Sequence, residues 1–134
     1  MNKEQVDLLG EYIKARSSVI LIENIPENVI KKGAVVINSD CSNTELMGSF
    51  ENLEYKAPKW YNELIESSKK HIPVLVIKDI NKIPEKEQRK FIELLKYKKV
   101  YVNKLPDNCM IFITYSNLSE NSIDEELYSF MVQI

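Results

Sequence analysis

Val74-Leu75-Val76-Ile77-Lys78-Asp79-Ile80-Asn81 decides the fold of this chain. Four consecutive apolar residues, three of them β-branched, end on a charged pair. That pattern reads as a strand buried on both faces with its C-terminal end at solvent. Met110-Ile111-Phe112-Ile113-Thr114 is a second such run, Ser18 to Ile22 a third, and Ala34 to Asn38 a fourth. Continuous apolar runs, rather than alternating ones, argue for a parallel sheet covered on both faces, in a three-layer α/β sandwich.

The segments between the runs supply the covering layers. Lys3 to Lys14 places Val6, Leu9 and Ile13 on one helical face. Pro58 to His71 does the same with Trp60 and Leu64, and Pro58 suits a first turn, where its missing N–H costs nothing. Ile83-Pro84-Glu85 opens a further helix with early acids; Phe91, Ile92 and Leu95 form its stripe, and Lys96, Lys98 and Lys99 stand at or beyond its end. Ile123 to Met131 reads as a short helix and Val132 to Ile134 as a last strand. Val100 to Asn103 reads as one arm of a hairpin. Glu23 to Gly33, interrupted by Pro26, has room for at most a turn or two of helix, and Ser39 to Ala57 reads as mostly loop.

Composition bounds the rest. The 134 residues fit one α/β domain over 1–134, large enough for a real core, and 44% hydrophobic with 28% charged residues describes a globular chain. No apolar run approaches the roughly 20 residues of a membrane helix, and Met1 to Gln5 does not open a secretory leader. Cys41 and Cys109 are too few and too far apart for a disulfide framework, so a reducing cytoplasm is the simplest location. A net charge of −2 makes no global case for nucleic acid. Arginine, the preferred residue for bidentate phosphate contacts, occurs only at Arg16 and Arg89.

From about Ala34 to Ile134 the chain resembles AAA+ ATPases of the MoxR-like and phage-encoded kind. The resemblance rests on Val74 to Pro84 followed by Phe91-Ile92-Glu93-Leu94-Leu95, then Leu105-Pro106-Asp107-Asn108, then Ile111 to Asn117, in that order and spacing. Upstream, Thr44-Glu45-Leu46-Met47-Gly48-Ser49-Phe50 is similar to the family's stretch after its second strand. The resemblance implies a P-loop NTPase-like core with strand order 5-1-4-3-2, the last strand pairing beside Ser18 to Ile22.

Where the family keeps its chemistry, this sequence departs from it. Glycine occurs only at Gly10, Gly33 and Gly48, and none is followed by Lys and Ser or Thr, so the phosphate loop (Walker A) is absent. The segment at its place reads Glu23-Asn24-Ile25-Pro26-Glu27-Asn28, offering acids where a lysine should meet phosphate. Lys78 stands at the position of the magnesium-organising Walker B aspartate, and Asp79 at that of the catalytic glutamate. Asn117 is the sensor-like residue. Phe130 replaces the arginine of box VII, and the helical lid domain has no counterpart. The resemblance therefore implies a catalytically inactive pseudo-ATPase, without cofactor or metal, acting as a protein-interaction or regulatory module, beside an active AAA+ relative or through self-association.

Each of these residues also has a plainer reading. Lys78 can be a solvated strand end, Asp79 and Asn81 helix or turn caps, and Asn117 a loop hydrogen-bonder. His71, the sole histidine, sits at a helix end facing the dipole. One histidine and two separated cysteines cannot assemble a zinc site, and Cys41 has no partner base in view. Two other functions remain open. One is an ATPase subunit completed in trans. The other is a nucleic-acid accessory protein using Lys96, Tyr97, Lys98, Lys99, Tyr101 and Lys104, where lysines interleave with stackable rings. Against the last stands a simple helix C-terminus decorated with cations.

Overall fold

A computed structural model describes residues 19–25, 30, 33–116 and 122–134. Among the described residues, nine strands and five short α-helices follow in chain order. They are β1 (Val19–Ile22), β2 (Val35–Asn38), α1 (Asn43–Met47), β3 (Ser49–Glu51), β4 (Glu54–Lys56), α2 (Lys59–Ser68) and β5 (Val74–Lys78). After a 3-10 turn at Ile80–Lys82 come α3 (Glu85–Gln88), a second 3-10 turn at Arg89–Phe91, α4 (Ile92–Tyr97), β6 (Lys99–Val100) and β7 (Asn103–Lys104). β8 (Met110–Thr114), α5 (Glu125–Tyr128) and β9 (Met131–Gln133) complete the order.

Five strands form one parallel sheet in the order β2-β5-β8-β1-β9. Numbered among themselves in chain order and read from the β9 edge, they lie 5-1-4-3-2. The central strands are buried along almost their whole length, which is why they read as unbroken apolar runs. Register sorts their side chains by face. Val19, Leu21, Val35, Ile37, Leu75, Ile77, Ile111 and Ile113 face a cluster built with Leu46, Trp60, Leu64, Phe91, Leu94, Leu95 and Leu127. Four of the five described helices, α1, α2, α4 and α5, thus contribute to one side, together with the 3-10 turn that carries Phe91. On the other side Ile20, Ile22, Val74, Val76, Met110 and Phe112 are equally buried, and Ile25, Ala34 and Ile134 pack against them among the described residues. The helix expected over Lys3 to Lys14, which would supply a third layer, lies outside the described residues.

Three expectations need correction. Ser39 to Ala57 is not mostly loop: it holds α1 and the antiparallel hairpin β3–β4. Ser42 and Glu45 form a reciprocal capping box that starts α1. Gly48, at φ 89, ends it, and Asn52 and Leu53 turn the hairpin with both φ positive, the pattern of a type I′ turn. Second, the helix expected from Pro84 is broken into α3, a 3-10 turn and α4, with Phe91, Leu94 and Leu95 all driven into the core. Third, the last strand begins one residue early, at Met131, and the hairpin near Val100 pairs Lys99 with Lys104 and Val100 with Asn103.

Candidate functional site

The C-terminal ends of β1, β5 and β8 share one edge of the sheet, where ligands gather in open α/β folds. Lys78 closes β5 and is exposed. The next residue, Asp79, is held in the left-handed region at φ 56. Its N–H donates to the Thr114 hydroxyl at 2.9 Å, and its carbonyl accepts from the Ser39 hydroxyl at 2.6 Å. The Ser39 N–H in turn donates to the Lys78 carbonyl at 3.0 Å. Hydroxyls from both neighbouring strands therefore pin this peptide, offsetting a backbone conformation that costs on the order of 1–3 kcal/mol.

Asp79 occupies the N-cap position of the following 3-10 turn, yet its side chain makes no capping bond, so the capping reading is corrected. Asn81 does not cap either. Its side chain is buried and works as a two-way strap: Oδ1 accepts from the Ser116 N–H at 3.1 Å, and Nδ2 donates to the Ser116 carbonyl. An amide placed this way imitates a strand partner and fixes the chain after β8.

A nucleotide would need donors aimed at its phosphates and acids organising a cation. At this edge the described residues offer Glu23 and Asn24, both exposed after β1, with Lys78 and Asp79. Among the described residues no group of three or more His, Cys, Asp or Glu side chains is placed to hold a metal. The Asp79 N–H is already committed to Thr114. These residues do not fit a magnesium–triphosphate group. Asn117 lies outside the described residues. Phe130 stands before β9 and packs against the main core cluster. Because the strands are parallel, Phe130 is at the opposite edge of the sheet from Lys78, and the two do not share a site.

Arg89 is engaged elsewhere. Its guanidinium reaches both carboxylate oxygens of Asp124 at 3.2 Å and the Glu126 carboxylate at 3.0 Å, tying α3 to the start of α5. Asp124 caps α5 by accepting from the Leu127 N–H at 3.0 Å, and that bond, with Arg89 beside it, holds the carboxyl below its ordinary range. Beside them Gln88 is fully buried. Its amide donates to the carbonyls of Ile83 and Ser122, at 3.1 and 3.0 Å, and accepts from the Asp124 N–H at 2.8 Å. Nothing in the local sequence marks Gln88 as central, since two of its three partners, Ser122 and Asp124, are distant in the chain.

The lysine–tyrosine segment divides in two. Lys96 and Lys99 lie over the Tyr97 ring, at 5.3 and 5.6 Å from its centroid, and Lys104 is exposed at the end of β7. Lys98 is exposed as well, but its ammonium is partly engaged. Its ammonium folds back to the Leu95 carbonyl at 2.6 Å, and burial pushes its pKa down. Tyr101, in a positive-φ turn, packs instead on the other hairpin: its ring is 4.7 Å from Tyr55 and 5.7 Å from Phe50, which are 5.5 Å apart. The Tyr61 hydroxyl fastens β7 by donating to the Lys104 carbonyl at 2.7 Å. Phe50 and Tyr55 were hidden in a segment read as loop; only the aromatic pair flanking Asn52 hinted at them.

Neither thiol is activated. Burial raises the Cys41 pKa, and it pushes Cys109 up to about 12. His71 is exposed beyond the end of α2, beside Gly33. Among the described residues no helix is long and apolar enough to cross a membrane. The chain matches no known protein-family model and no curated protein.

Proposed function

We propose that this chain is a nucleotide-independent, AAA+-like domain that works by binding another protein. The carrying observation is the C-terminal edge of the sheet, where the Asp79 peptide is locked by Thr114 and Ser39 and a lysine takes the place of a cation-organising acid. The sheet order 5-1-4-3-2 and the two hairpins at Ser49–Lys56 and Lys99–Lys104 support the AAA+ comparison. Fold analogy alone would be a weak warrant for function. The absence of a phosphate loop from the sequence and the commitment of the Asp79 N–H to a side chain are the stronger grounds.

A melting curve tests the reading. A ligand that binds only the folded state adds RT ln(1 + [L]/Kd), about 4 kcal/mol at a thousandfold excess over Kd. Millimolar ATP with magnesium should leave the melting temperature unchanged within error. A rise of several degrees would contradict the proposal and favour a subunit completed in trans.

A further inference from the structure

Among the described residues β2 is an edge strand, and none of them pairs with its outer side. It pairs with β5 alone, and the bond from the Ser39 N–H to the Lys78 carbonyl fixes which groups point inward. In a parallel ladder alternate residues aim both N–H and C=O at the same neighbour. Val35, Ile37 and Ser39 therefore face β5, and Val36 and Asn38 face out. The Asn38 carbonyl is taken by the Cys41 N–H at 3.1 Å. The N–H and C=O of Val36 and the N–H of Asn38 have no backbone partner among the described residues. Val36 is also 45% exposed. Natural edge strands are usually blunted by lysine, proline or a bulge; Val35-Val36-Ile37-Asn38 carries none of these.

A groove of about 590 Å³ runs beside this edge, between β2, α1 and the start of α2. Ile37, Pro58 and Trp60 line its apolar part, and Asp40, Glu45 and Glu63 outnumber Lys59 on it. The pairs Lys59–Glu63 at 3.8 Å and Lys82–Asp40 at 3.6 Å are long and exposed and so hold these acids only weakly, and Glu45 accepts from the Ser42 N–H. Trp60 is fixed there by the bond from its indole N–H to the Leu46 carbonyl at 2.9 Å. We infer that an extended peptide segment with basic residues at alternate positions adds to β2 as a sixth strand and fills this groove. The open backbone groups of Val36 and Asn38 supply main-chain pairing, as in β-strand addition. Side chains on the helix side lay aliphatic stems toward Pro58 and Trp60 and reach the acids with their ammonium groups. Those on the other side lie next to Val36. A second copy fits less well: a four-residue edge, about 13 Å long, offers far less than the 1,200–2,000 Å² typical of stable interfaces. This inference rests on reading the chain as a protein-binding module, and its test reads peptide contact rather than nucleotide, so the two can fail separately.

The test is an NMR titration of the intact protein with three short peptides: one alternating lysine and valine, its glutamate–valine counterpart, and the lysine–valine peptide with backbone N-methylation. The expected result is a shift of the Val36 and Asn38 amides and the Trp60 indole N–H with the first peptide. The second should bind more weakly, and the third should not bind. Glu63→Lys, a change at an exposed site, should weaken the first peptide about two- to fivefold, the range of a surface charge pair. Shifts confined to other residues, or equal binding of the N-methylated peptide, would overturn the proposal. So would a concentration-dependent dimer whose formation protects the Val36 N–H, since that would assign the edge to a second copy.

Discussion

The Asp79 N–H donates to the Thr114 hydroxyl across 2.9 Å, joining the end of β5 to the end of β8 at the point where the sheet would meet a ligand. A side chain thus occupies a donor that faces the candidate site. Thr114 is itself buried, so its hydroxyl has been taken out of water to make this bond. Thr114→Val keeps the shape and removes the acceptor, leaving a confined N–H unpaired at a cost of about 1–3 kcal/mol. Urea unfolding should show that loss, and Thr114→Ser should recover most of it. Equal stability of the valine variant and the parent would mean the bond contributes nothing.

The turn between β3 and β4 makes an opposite prediction. Leu53 sits at φ 67 and is fully exposed, so it bears a left-handed backbone without any compensating burial. Asn-Gly is the favoured pair for such a turn. Leu53→Gly should therefore stabilise the protein by up to about 1 kcal/mol, seen as a higher urea midpoint at unchanged slope. A lower midpoint would contradict the geometry of this turn.

How much of this was legible beforehand follows from burial. β5 and β8 are buried at nearly every residue, so their apolar runs announced a parallel sheet. α2 announced itself through Pro58, Trp60 and Leu64. The segment from Ser39 to Ala57 stayed hidden because its order comes from caps and a turn rather than apolar period; the Ser42–Glu45 capping box was present in the sequence as a signal. The Asn81–Ser116 strap and the Gln88 amide bridge were invisible, since each joins residues some 35 positions apart through side-chain and backbone groups. At the hairpin, Lys98 looked equivalent to Lys96 and Lys99; it is exposed like Lys96, but from a left-handed backbone at φ 54 its ammonium folds back onto the Leu95 carbonyl.

Gly48 carries a sharper steric demand. A Cβ there would lie 2.4 Å from the Lys56 carbonyl oxygen and 2.8 Å from the Tyr55 hydroxyl, at a φ of 89 that side chains rarely adopt. The backbone of β4 cannot yield without breaking the bond from the Tyr55 hydroxyl to the Met47 carbonyl. Gly48→Ala should destabilise the protein by more than the roughly 1 kcal/mol of positive-φ strain alone. Thermal unfolding decides it: an unchanged melting temperature would mean the hairpin does not pack on α1 as described.

Acid stability should carry the mark of Asp124. Its folded pKa is lowered, first by the Leu127 N–H and then by Arg89, so the ionised form stabilises the fold. The sign follows: the contribution is fully present above the ordinary aspartate pKa of 3.8 and is lost as pH falls through the lower folded value. Asp124→Ala removes a helix cap and should cost about 0.5–2 kcal/mol at neutral pH. The gap between variant and parent should narrow steadily below about pH 4. A gap independent of pH would show that the carboxylate charge plays no part in holding α5 to Arg89.

Calorimetric titration of the whole protein with ATP and magnesium, repeated with ADP, tests the central claim most directly. The account predicts no heat of binding at high micromolar nucleotide, because the Asp79 N–H is spent on Thr114 and no phosphate loop is present. A saturable heat with a micromolar constant and one site per chain would contradict it.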